Sequence, residues 1–103
     1  MYMKNVTVRR STSGDAGALA RLAALDGASP PRGPALVAEA DARMLAALPI
    51  GSGRPIADPF EPTAELVALL ELRRSQIESA EKSSARRRRG LRALLRGRLS
   101  HAA

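Results

Sequence analysis

Four groups of residues in this sequence have types and spacings that could do chemistry. Asp58 and Glu61, in "DPFEPTAELV", are two carboxylates three positions apart, a pair that could share acid–base work. Glu39 and Asp41 stand two apart on one strand face, as a base pair or the beginning of a divalent-cation site. "GSGRP", residues 51–55, is a glycine turn followed by an arginine, a possible anion holder. Arg86, Arg87, Arg88, Arg89, Arg92, Arg96 and Arg98 make a dense positive segment suited to nucleic-acid phosphates or an anionic membrane surface.

The first three groups have plainer readings that weigh more. Asp58 caps a turn, and Glu61 complements the positive end of a following helix. Glu39 and Asp41 are solvated hairpin residues, two carboxylates without further ligands. "GSG" does not open a helix, so it lacks the dipole and amide nest of a phosphate loop and reads as a hairpin turn. Arg9 and Arg10 end a first strand and are expected to face solvent. No residue is therefore assigned to catalysis, cofactor or metal, and no cofactor is expected. The arginine segment remains the candidate contact site. Its plain alternative is a solvated basic tail, or one folded back on Glu61, Glu65 and Glu71.

Composition narrows the chemistry. The chain has 103 residues, one Tyr, one Phe, one His and no Cys or Trp. Thiolate zinc sites, disulfides and cysteine nucleophiles are excluded. His101, the single histidine and among the last three residues, cannot build a triad or a multi-histidine site. Base stacking on aromatic rings is essentially absent. No apolar run approaches the ~20 residues that cross a bilayer, and "MYMKNVTVRR" lacks the apolar core of a signal peptide; a cytoplasmic location is expected. Fifteen Arg against two Lys, with twenty Ala, suggest a GC-rich bacterial genome. Residues 1–81 carry nine basic and ten acidic side chains, whereas residues 82–103 carry eight basic and none acidic. The formal charge of +7 thus belongs to the C-terminal segment.

The elements that must position these residues follow from periodicity. "NVTVRR" alternates as a half-buried strand, with Val6 and Val8 on one side. Thr12-x-x-Asp15 has capping-box spacing and opens a helix over 13–26, with Leu19, Leu22, Ala23 and Leu25 on one stripe. Gly27 suits the left-handed residue that ends it. The prolines of "ASPPRGP" make 28–34 a loop. Two short strands, 35–40 and 44–50, form a hairpin, preferred over one Ala-rich helix because of Pro34 and Pro49, with Val37 and Ile50. Ala42 sits where a tight turn prefers Gly. "RPIAD" is a short third partner, limited by Pro55. From Thr63 a helix presents Leu66, Val67, Leu69, Leu70, Leu72 and Ile77 to the sheet, with Glu71 and Arg74 spaced for an ion pair. Beyond it Leu91, Leu94, Leu95 and Leu99 lie in one arc of a short basic helix. The fold class is α+β: a small antiparallel sheet of three or four strands, two packed helices, and a basic C-terminal helix. The chain divides into a domain at 1–81 and an Arg-rich segment at 82–103.

The order of elements resembles the N-terminal half of a GNAT-type N-acetyltransferase. The matching stretches are "VTVRRSTSGDAGALARL", "ALVAEADARMLAALPI" and "IADPF", within about residues 5–80. In that family the last meander strand runs into a glycine-rich turn whose amides hold the acetyl-CoA pyrophosphate. Here "FEPTAEL" follows Asp58-Pro59: there are no glycines, Pro62 has no N–H to give, and Glu61 and Glu65 would repel phosphate. The family's C-terminal half has no counterpart, nor does its catalytic tyrosine, since the only Tyr is Tyr2. The resemblance implies a truncated, degenerate, non-catalytic relative with an interaction or regulatory role. Anionic-surface binding through 82–99 is the alternative, and residual acyl-CoA-dependent N-acyltransfer a lesser one. Expected partners are a second copy paired along a sheet edge, nucleic acid or anionic membrane at the arginines, or another protein.

Overall fold

A computed structural model describes residues 5–101, with side chains over 5–95. Tyr2, and the side chains of Arg96, Arg98, Leu99 and His101, lie outside what is described. The chain is an α+β fold: β1 (Thr7–Arg10), α1 (Ala16–Leu25), β2 (Ala35–Ala40), β3 (Arg43–Pro49), β4 (Ile56–Ala57) and α2 (Ala64–His101). The strands form one antiparallel meander in sequence order, β1-β2-β3-β4.

The sheet is covered on both faces, which explains why β2 and β3 are apolar nearly throughout. Leu19, Leu22 and Ala23 of α1 pack on Val37, Met44, Ala47 and Ile56. On the other face Leu66 and Leu70 of α2 pack on Leu36, Ala38, Ala40, Leu45, Ala46 and Leu48. A bulge makes this possible. Ala38 pairs with Ala46 but Glu39 pairs with Met44, so Leu45 has no partner of its own. Leu45 and Ala46 consequently both turn toward α2, while Met44 and Ala47 on either side face α1.

The β2–β3 turn is Asp41-Ala42, with φ of 52° and 66°. Two positive-φ residues match the twist of the flanking strands, and Ala42 holds a conformation glycine would take more easily. Ahead of α1 the Thr12–Asp15 spacing acts as expected. The Thr12 N–H donates to Asp15 Oδ2 at 2.6 Å, over a short 3₁₀ turn at Ser13–Asp15. Gly27 follows the helix with φ 66°.

Only part of the predicted apolar face of α2 touches the sheet. Leu66 and Leu70 are buried, Val67 and Ile77 half-buried, and Leu69 and Leu72 exposed. The expected Glu71–Arg74 pair is not among the described ion pairs. Arg74 instead donates to the backbone carbonyls of Pro49 and Gly53, at 3.1 and 2.9 Å. Nor does α2 stop at residue 81. It is continuous over 38 residues, about 57 Å at 1.5 Å per residue, and the molecule measures 68 Å along its longest axis.

Candidate functional site

The corner between β4 and α2 is filled by its own charges. Asp58 is buried, accepts the Phe60 N–H at 2.8 Å, and closes the turn after the strand. Arg43, at the start of β3, lies 3.8 Å from Asp58 Oδ2 and 3.3 Å from Glu61 Oε1. Glu65 adds a further carboxylate in the first turn of α2. The corner thus has two carboxylates on one guanidinium, with a third at the helix start. Asp58 and Glu61 are the turn cap and helix-start residues of the plainer reading, and an incoming anion meets negative charge there.

The pairing of Glu39 with Asp41 is not made. Asp41 belongs to the tight turn, while Glu39 binds Arg9 Nε at 2.6 Å. Arg9 also grips Asp15 through Nη1 and Nη2, at 2.8 and 2.9 Å. Arg9 is therefore the centre of a two-carboxylate clamp rather than the solvent-facing residue expected from its strand position. The strand pleat brings Glu39, diagonal to Arg9 in the β1–β2 pairing, to the same face, and the 3₁₀ turn before α1 delivers Asp15. Asp15 is held well below the usual carboxylate range, chiefly by the Arg9 hydrogen bonds and then by the Thr12 N–H. Arg9 is pushed further up by the same bonds to Asp15 and by Glu39. These three residues, distant in sequence, carried no local signal beyond the capping-box spacing of Asp15.

The "GSG" turn presents carbonyls inward, not amides. Its Gly53 and the preceding Pro49 give their oxygens to the Arg74 guanidinium, so it serves a cation of the chain itself. Gly53 has φ 137°, and a Cβ there would stand 3.0 Å from Pro49 Cγ.

The described side chains of the predicted arginine segment enter no described ion pair. Residues 86–95 are all exposed, including Arg86, Arg87, Arg88, Arg89 and Arg92. Arg96 and Arg98 continue the same helix backbone. No acidic residue follows Glu81. Because successive residues turn by about 100°, Arg86 to Arg89 point to every side of the helix axis. Leu91, Leu94 and Leu95 lie among them, 58%, 59% and 49% exposed. The segment does not fold back on Glu61, Glu65 or Glu71. Among the described residues no three His, Cys, Asp or Glu side chains gather as a metal site, and no helix is long and apolar enough to cross a membrane. Compared with protein-family models, curated proteins and solved structures, the chain gives no match.

Proposed function

We propose that this chain is a non-catalytic module that grips the phosphate backbone of nucleic acid with the C-terminal half of α2, its α+β part acting as the scaffold. The observation that carries this reading is the continuous helix beyond residue 81, with six exposed basic side chains over residues 82–95 and no acidic residue after Glu81. Guanidinium groups bind phosphate oxygens in forked pairs. Contacts to the backbone carry no base information, and the segment offers no aromatic ring to stack on bases. The binding is thus indifferent to sequence.

An anionic membrane fits the same charge less well. A helix lying on a bilayer needs one clean apolar face, and here Arg87 and Arg88 break the leucine arc. The scaffold, in this reading, is a relative of the acetyltransferase-type domain that has lost acyl-CoA binding. The meander with a helix after β1 and another after β4 supports that descent, and the carboxylate-filled corner supports the loss.

The test uses the full chain and a generic duplex. Neutralising about five phosphates gives a slope of log affinity against log salt of about −4 to −5. The variant with Arg86, Arg87, Arg88 and Arg89 changed to Gln should lose most of that slope while keeping its circular dichroism. Unchanged binding by the variant, or tighter binding to anionic vesicles than to duplex at the same salt, would overturn the reading.

A further inference from the structure

Leu69, Leu72, Leu91 and Leu94 are 42%, 56%, 58% and 59% exposed. They belong to one ordered stripe. Positions 69, 72, 76, 80, 83, 87, 91 and 94 are separated by steps of 3, 4, 4, 3, 4, 4 and 3, and all eight are exposed. This is an 11-residue period, which keeps a stripe on one face of a nearly straight helix. The stripe has the same character read from either end: Leu, Leu, Gln, Ala, then Ser, Arg, Leu, Leu. Its midpoint falls between Glu81 and Lys82.

The two ends of the stripe have complementary surroundings. At the N-terminal end Leu69, Leu72, Arg73 and Gln76 form a groove with Val6 and Val8 at the β1 edge. At the C-terminal end Leu91 and Leu94 stand on bare helix. The charges are opposed too. Residues 64–81 carry four Glu and two Arg, whereas residues 82–95 carry six basic side chains and no acidic one.

We infer that the stripe is covered by a second copy of this chain, the two α2 helices lying antiparallel about a twofold axis near residues 81 and 82. Leu69 of one copy then meets Leu94 of the other, and Leu72 meets Leu91. The Gln76 amide faces the Arg87 guanidinium, and Ala80 and Ser83 let the helices cross closely. The contact is isologous, so each leucine end fills the partner's groove and the association closes at two. The acidic half of each helix runs beside the basic half of the other, which fixes the antiparallel direction. Arg88, Arg89 and Arg92 turn away from the seam, so this inference stands independently of phosphate binding.

The test is the solution mass of the full chain. The native protein should show twice its 10.9 kDa, and the pairs L69K/L72K and L91E/L94E should each show the single mass. Their equimolar mixture should regain the doubled mass, because lysines at one seam then meet glutamates and the other seam is native. The chain has no cysteine, so A80C/S83C should also oxidise cleanly to a covalent dimer even where the charged variants fold poorly. The variant with Arg88, Arg89 and Arg92 changed to Gln, all turned away from the seam, should keep the doubled mass whether or not it binds duplex. A native protein of single mass, a doubled mass unaffected by both leucine pairs, a mixture that stays single, or an A80C/S83C chain that does not cross-link would each overturn the inference.

Discussion

Arg9 and Asp15 meet through two parallel hydrogen bonds, Nη1 to Oδ2 at 2.8 Å and Nη2 to Oδ1 at 2.9 Å. This forked pair ties the strand at the sheet edge to the turn that launches α1, and Glu39 holds the same guanidinium from the neighbouring strand. It sits where the chain first reverses direction, so its consequences fall on stability.

The pair makes stability depend on acid. Asp15 has a folded pKa below its unfolded value near 4. Its contribution is therefore fully present above about pH 4 and is lost as pH falls toward the folded pKa. Asp15→Asn should be less stable than native protein at neutral pH, with the gap closing below pH 4. Urea unfolding across pH 2 to 7 measures it. A gap that is constant with pH contradicts the assignment.

Ala42 has φ 66° in the β2–β3 turn. A left-handed conformation costs a non-glycine residue about 1 kcal/mol. Ala42→Gly should raise stability by about 0.5–1 kcal/mol, seen as a higher urea midpoint at unchanged slope.

Leu22 and Leu48 are fully buried on opposite faces of the sheet. Each truncated to Ala should cost about 2–5 kcal/mol. Equal sensitivity of the two faces is the signature of helices on both sides; a mild effect at Leu22 would mean that α1 is dispensable.

Arg74 fastens α2 to the loop after β3 through two carbonyls. Arg74→Ala should cost about 1–2 kcal/mol and speed proteolysis at residues 51–55. Lys, with one ammonium in place of a fork, should restore only part.

Much of the architecture was legible because local chemistry and global fold agree. Pro34 and Pro49 bracket a stretch whose Ala and Leu content favours helix, and the strands there hold in the structure. The two-sided burial of β3 was not legible, since a bulge at Leu45 changes which face each residue takes and leaves no mark in composition. Leu69 and Leu72 read as core because periodicity reports an apolar face without saying how wide a sheet lies beneath it. The charge change at residue 82 suggested a boundary, yet "ESAEKSSA" contains no helix breaker and α2 runs through it. Of the candidate sites, the arginine segment and the carboxylate corner could be found from sequence because their residues are neighbours. The Arg9 clamp could not, since it joins positions 9, 15 and 39.

The meander also sets how the chain comes together in time. Every strand pairs with the next in sequence; β2 with β3 and β3 with β4 close over two and six residues, whereas β1 reaches β2 across the 24 residues that hold α1, and local pairings form before distant ones. The β2–β3 hairpin is the most local of these pairings, closed by two residues, and hairpins form within about 1–10 μs. It is the natural nucleus, onto which β1, β4 and both helices condense. Relieving the strained Ala42 at its turn with glycine should then quicken folding and leave unfolding almost unchanged.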